Sequence, residues 1–320
     1  MSISTPKRLA ALALLATIAA GACSSSGASS APSSAASTTT SSAPSTAPAG
    51  GAPSGAASAA ASAAGVNCVA GSIGAAGSTA MQPVVDAAAK LYVKGCAGST
   101  INVQGGGSGT GLTQVSQGAV NIGNSDITAE EKLTPDQASA LVNHIVLKQG
   151  WVMVVNASVT GFTNLTTQQA SDIWTGKVTN WKDVGGPDQA IVLVLRPASS
   201  GTRATFKKVV LNGADEAAGS ALTEDSNGAV AKAVGTTPGS TSYIGLAYYQ
   251  ANKAGVTPLQ LDGVEATPAN ITNGSYKLSA NGNMYTKGAA SGLTQAFIDY
   301  MLSPQIQGTL IPSLYYAPVQ

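Results

Sequence analysis

The stretch "TINVQGGGSGTGLTQVSQG", residues 100–118, carries an extended apolar run through GGGSGTG into a helix-like pattern. Glycine at such a joint frees the backbone from the limit that Cβ places on φ, so successive amides can turn toward one point. A helix beginning behind them adds unpaired N–H groups and a partial positive charge. The combination is a cradle for an anion. The same strand–polar turn–helix joint recurs in "AAGSTAMQP", with Ser78 and Thr79, and in "RPASSGTR", with Arg196, Ser199, Ser200, Gly201, Thr202 and Arg203; "IGNSDI" ends a further strand with Ser125 and Asp126. Short apolar strands alternating with helical patterns specify an α/β architecture. In open α/β sheets ligands lie beyond the carboxyl ends of the strands, which is where all of these motifs fall.

Each joint alone has a plainer reading. Ser and Thr at helix starts are ordinary N-caps, Asp126 serves equally as a cap, and the two arginines suit a surface. Taken in order, the motifs supply neutral hydroxyl and amide donors around Arg196, whose rigid fork suits an oxyanion. The chain has a formal net charge of +1 and 10% charged residues, which excludes a broad electrostatic surface for nucleic acid. An anion must therefore be held by local geometry.

Before the folded part, Lys7 and Arg8 precede the apolar run Leu9–Ala20, then "AGAC". That order reads as an export signal too short to span a bilayer comfortably, with Cys23 as a lipidated first residue in a lipobox where Ala20 replaces the usual Leu. Residues 1–23 are assigned to this signal. From Ser24 to Gly65 every residue is Ser, Ala, Thr, Pro or Gly. Such a segment has no large apolar side chain to bury and reads as a disordered tether reaching roughly 35–40 Å. Cys68 and Cys96 remain, in an exported and oxidising setting. A bridge between them would contribute about 3–4 kcal/mol through the unfolded state; two buried free thiols are the alternative, which spacing leaves open.

Val66–Gln320 is long enough for two lobes. "NHIVLKQGWVMVVN" is a nearly continuous apolar run interrupted at Lys148–Gly150, as expected of a strand passing from one lobe to another, and "NMYTKG" is the expected return.

The motifs "GSTAMQP", "NVQGGGSGTGL", "VNIGNSDI", "TNWKDVGG", "SSGTRATF" and "SYIGLAYY" together resemble the phosphate-binding lipoproteins of bacterial ABC phosphate importers, in order and spacing, across nearly all of Val66–Gln320. The resemblance implies a two-lobed, periplasmic-binding-protein type II-like α/β fold with phosphate buried in the cleft. It implies lobes of about 66–147 with 277–320 and about 148–276. It implies ligand contacts from Thr79, Ala80, Ser108, Asp126, Arg196, Ser200, Gly201 and Thr202, with Ser78 and Arg203 as neighbours. Where some members have an aromatic residue after the first Thr this chain has Ala80, and a main-chain amide contact survives that change. The implied partners are inorganic phosphate, the permease and ATPase subunits of the importer, and the outer face of the cell membrane through the lipid on Cys23. No catalytic residue, cofactor or metal ligand is assigned.

The rival readings are a binder of another oxyanion, a phosphatase-like enzyme and a surface adhesin. The chain has one histidine, His144, within an apolar strand, where a structural role is expected. It has no G-x-S-x-G elbow, no paired metal-ligand His motif and no Walker Lys after the glycines.

Overall fold

A computed structural model of the chain describes residues 66–218 and 221–319. The export signal, Cys23 and the tether lie outside the described residues. The order begins β1 (Gly71–Gly77), α1 (Gln82–Gly95), β2 (Ser99–Gly106), α2 (Ser108–Gln117), β3 (Ile122–Ser125), α3 (Pro135–Ser139) and β4 (Leu141–Asn156). It continues through β5 (Asn164–Leu165), α4 (Thr167–Trp174), β6 (Val192–Leu195), α5 (Gly201–Val209), β7 (Leu222–Thr223), α6 (Asn227–Thr236), β8 (Ser240–Gly245), α7 (Leu246–Ala251) and β9 (Val256–Leu261). It closes with α8 (Pro268–Thr272), β10 (Ser279–Lys287), α9 (Gly292–Met301) and α10 (Ile311–Ser313). The fold is α/β.

Local chemistry accounts for the opening unit. Pro83 sits in the first turn of α1, where a missing N–H costs nothing, and Val84, Val85, Ala88, Ala89 and Tyr92 then recur on one buried face. That face packs on α9, where Tyr92 meets Phe297 and Tyr300 edge-on at 6.1 and 5.4 Å between ring centres. Cys68, ahead of β1, is bonded to Cys96 at the end of α1, with Cα atoms 5.1 Å apart.

The strands follow the path β2-β1-β3-β10-β4-β8-β6-β7. β1, β2 and β3 are parallel, while β10 runs antiparallel to both β3 and β4. β4 is continuous through Lys148–Gly150; what changes there is its partner. Leu141–Gly150 pairs with β10, whereas Trp151–Val155 pairs with β8 and Met153–Asn156 with β9. The apolar interior divides at the same place. One core gathers residues from Trp151 to Leu278, including Trp151, Trp174, Trp181, Phe206 and Tyr243, with Ala80 and Ala317 added. Another gathers Ile73 to Leu147 and Met284 to Tyr316, and a smaller cluster surrounds Leu112 and Val115. The chain crosses between the cores along β4 and returns along β10, so the carboxyl ends of β1, β2, β3 and β6 can face one another across the seam.

Candidate anion-binding site

Ser78 and Thr79 follow β1, Ser108 starts α2 directly after β2, Asp126 follows β3, and Arg196 follows β6. Ser200 caps α5, accepting from the Arg203 N–H at 3.2 Å, and Gly201 and Thr202 form its first turn. Ser78, Thr79, Ala80, Ser108, Asp126, Arg196, Ser200, Gly201 and Thr202 are all buried; Ser78, Ser108 and Thr202 bond to Asp126, and Thr79 accepts from Arg196. The structure gathers Ser78, Ser108, Gly201 and Thr202 about Asp126 and sets Thr79 against Arg196.

The cluster spans the seam between the cores. The Gly109 N–H at the start of α2 donates to the Ser199 carbonyl at 2.9 Å. Gly107 holds φ at +90°, and a Cβ there would stand 2.6 Å from that same carbonyl. A Cβ on Gly201 would stand 2.1 Å from Ser108 Oγ and 2.9 Å from Asp126 Cβ. Only glycine allows α2 and α5 to meet this closely. Their N-termini, each with first-turn N–H groups lacking partners inside the helix, are brought together beside Arg196.

Hydroxyl geometry decides what each Ser and Thr can offer, since each has two acceptor directions and one proton. Thr79 Oγ1 accepts from Asn227 Nδ2 at 2.9 Å and from Arg196 Nη2 at 3.3 Å, leaving its proton to donate elsewhere. Ser108 Oγ accepts the Asp126 N–H at 2.9 Å and likewise keeps its proton. Ser78 differs. Its Oγ accepts from the N–H groups of Ala80 and Met81 at 3.1 and 3.2 Å and donates to Asp126 Oδ1. Ser78 therefore orients Asp126, which places it behind the cradle.

Arg196 is 1% exposed. Its Nε donates to the Glu224 carbonyl at 3.0 Å and its Nη2 to the Asp225 carbonyl at 3.0 Å, while Nη1 has no partner among the described residues. Burial lowers its pKa, opposed by the Tyr243 hydroxyl and the Asp126 carboxylate nearby. Burial pushes the Asp126 carboxyl above the usual carboxylate range; donation from Ser78, Gln149 and Thr202 and the charge of Arg196 pull it back. A cavity of about 350 Å³ beside Asp126 opens between Thr128, Asn143, Thr205 and Lys208.

The PBP superfamily domain matches residues 62–305. The phosphate-binding protein PstS of Bacillus subtilis is 47% identical over 249 residues, 78% of this chain and 81% of that one. The chain belongs to the PstS family of the PBP superfamily. PstS of Borreliella burgdorferi is 27% identical over 71% of this chain and 83% of its own. Among solved structures, a candidate phosphate ABC transporter substrate-binding protein of Clostridium perfringens, with bound phosphate, superposes with a TM-score of 0.71 at 28% identity, covering 78% of this chain and all of that one. An ABC-type phosphate transport receptor of Vibrio cholerae gives 0.62 at 28% identity, covering 77% and 99%. The PstS-type fold is the two-lobed, periplasmic-binding-protein type II-like one.

Two supports of this site, Gln149 and Asn227, were not legible in the motifs. Gln149 Nε2 donates to Asp126 Oδ1 at 2.8 Å from the changeover point of β4. Asn227 starts α6, holds Thr79 and accepts the Gly245 N–H at 2.7 Å. Arg203, the neighbour expected from "SSGTRATF", donates to the Arg196 carbonyl at 2.8 Å and pairs at 2.7 Å with Glu216, which also accepts from Tyr243. The only signal for Gln149 was a polar residue within the apolar run of β4; Asn227 resembled any helix start. His144 stands apart, its ring 3.2 Å from Thr286 Oγ1 between β4 and β10.

Proposed function

We propose that this chain captures inorganic phosphate outside the cytoplasm and delivers it to an ABC importer. What carries the reading is the meeting of α2 and α5 beside Arg196, with one carboxylate, Asp126, set among the donors. The Thr79, Ser108 and Ser200 hydroxyls, the N–H groups at Gly201 and Thr202, and Arg196 Nη1 supply hydrogen to the anion, while the Ala80 N–H donates to Ser78 and the Thr202 hydroxyl to Asp126. Asp126 supplies an acceptor. Phosphate near neutral pH retains a P–OH that can donate to it; fully ionised sulfate has none, and a buried acceptor without a donor supports strong discrimination.

The lobes, about 66–147 with 277–320 and about 148–276, close on the anion and replace its water with fixed donors. A micromolar site requires about 8 kcal/mol net, and several charge-assisted hydrogen bonds of roughly 1.5–3 kcal/mol each supply that after desolvation. A lipid on Cys23 and the tether keep the binder near the permease and ATPase that receive its cargo. Among the described residues no helix is long and apolar enough to cross a membrane.

Calorimetry of phosphate-free protein against phosphate, sulfate and molybdate tests the reading. Phosphate binding with one site per chain and a large preference over sulfate is expected; equal binding of all three removes the role of Asp126, and no binding removes the function. A chromogenic phosphate ester in the same preparation separates the enzyme reading, which requires turnover.

A further inference from the structure

We propose that Gln149 is a positioning residue that sets anion selectivity through Asp126, by engaging Oδ1 so that Oδ2 is the oxygen left to accept from the bound anion. This rests on the reading that Asp126 takes a hydrogen bond from phosphate. Gln149 is 2% exposed and lies on β4 where the strand changes partners. Its Nε2 is 2.8 Å from Asp126 Oδ1, and the Ser78 hydroxyl donates to the same oxygen. Ser78 has no alternative, because both of its acceptor directions are occupied by the Ala80 and Met81 N–H groups. Oδ1 thus faces two donors. On Oδ2 the hydrogen bond found among the described residues is from Thr202 Oγ1 at 3.3 Å, a long bond that leaves room for a second donor.

The arrangement also resists a proton on Oδ1. A proton there would point at Ser78, with no lone pair free, or at the Gln149 amide N–H₂. With Nε2 toward Oδ1, as the structure has it, the amide pairs with the ionised carboxylate; the reversed amide, with Oε1 toward Oδ1, would pair only with the acid form. Gln149 and Ser78 therefore favour the ionised, acceptor-only carboxylate, which distinguishes a protonated anion from an unprotonated one. The other groups around Asp126 are Arg196 beyond β6 and Tyr316 of the C-terminal segment. Glu131 and Lys208 flank the adjoining cavity and meet each other at 3.6 Å.

Two variants separate this role from packing. Gln149→Met keeps the bulk and removes the donor. Gln149→Glu keeps the shape; its acid form can donate a proton to Asp126, and its ionised form cannot. Phosphate and sulfate are titrated by calorimetry on parent and variants from about pH 5 to about pH 8, where carboxyls and histidine titrate. Each variant is compared with the parent at the same pH, so the ionisation of the anion cancels. For Gln149→Met the phosphate-to-sulfate ratio is expected to fall about tenfold, the scale of one hydrogen bond to a charged group. Sulfate binding, which needs a protonated Asp126, should set in at higher pH than in the parent. For Gln149→Glu, phosphate affinity relative to parent should decline as pH rises. Equal weakening of both anions with no pH trend, or no change in either, overturns the proposal and leaves Gln149 as packing. If Gln149→Met does not fold by thermal unfolding, the pH trend of Gln149→Glu decides alone. A parent that prefers phosphate alongside unaltered variants defeats only this inference; a parent without that preference defeats the functional reading as well.

Discussion

Arg196 donates to two main-chain carbonyls and to Thr79, and directs Nη1 toward no protein atom among the described residues. Its removal has two consequences that different measurements resolve. Arg196→Ala takes away a buried cation and is expected to weaken phosphate binding by about 2–5 kcal/mol. It also leaves the Glu224 and Asp225 carbonyls without their donor, so the anion-free protein should melt below the parent. Arg196→Lys keeps the charge but not the fork and should still bind phosphate less tightly. Parent-like affinity in both variants, by calorimetry, would remove Arg196 from the anion site. Asp126 carries the opposite expectation. Burial raises its pKa in the fold, so the native state binds the proton more tightly than the unfolded chain. Its favourable contribution is present below the ordinary carboxylate pKa of 3.8 and is lost as pH rises through the elevated native value. Anion-free Asp126→Asn should therefore be more stable than the parent at neutral pH, and the advantage should fade in strong acid. A lower melting temperature at neutral pH contradicts the assignment of a burial penalty.

At the scale of elements, the meeting of α2 and α5 is set by Gly107 and Gly201. Gly201→Ala forces a methyl against Ser108 Oγ, at 2.1 Å on the undisturbed backbone. Expected is a loss of phosphate affinity of tenfold or more, about 1.4 kcal/mol or above, with little change in the melting temperature of the anion-free protein. Unaltered affinity would show that the two helix starts need not approach for binding. The Cys68–Cys96 bridge belongs to another element pair, the lead into β1 and the end of α1. Replacing both cysteines by Ser should cost about 2–4 kcal/mol of stability while leaving phosphate affinity alone, as thermal unfolding and calorimetry will report.

This scale also explains what was legible in the sequence. The four joints could be read because a strand end, a polar turn and a helix start are local features, and Thr79, Ser108, Asp126, Arg196 and Ser200 all stand buried at strand ends or helix starts. The supports could not be read, because they depend on partners far along the chain. Gln149 is 23 residues from Asp126 and Asn227 is 148 from Thr79. Ser78 illustrates the limit within a motif: its spacing resembles that of Thr79, but a carboxylate 48 residues away determines where its proton goes. At the Lys148–Gly150 interruption the strand does not break; its pairing passes there from β10 to β8.

For the whole molecule, anchoring and capture are separable. Cys23→Ser should release the full chain from the membrane fraction without altering phosphate affinity; a parent protein already soluble without detergent would argue against the lipid. Capture rests on the claim that the closed site demands a proton from its anion. Paired titrations of phosphate and sulfate, on the parent and on Asp126→Asn at one pH and ionic strength, address that claim most directly. The parent should prefer phosphate strongly, by up to about 10⁴–10⁵ where an unpaired buried acceptor is the discriminating element. The amide that Asp126→Asn introduces can donate where the carboxylate could only accept, so in the variant the preference should contract at least tenfold through improved sulfate binding. A phosphate-to-sulfate ratio that is the same in both proteins would contradict the account.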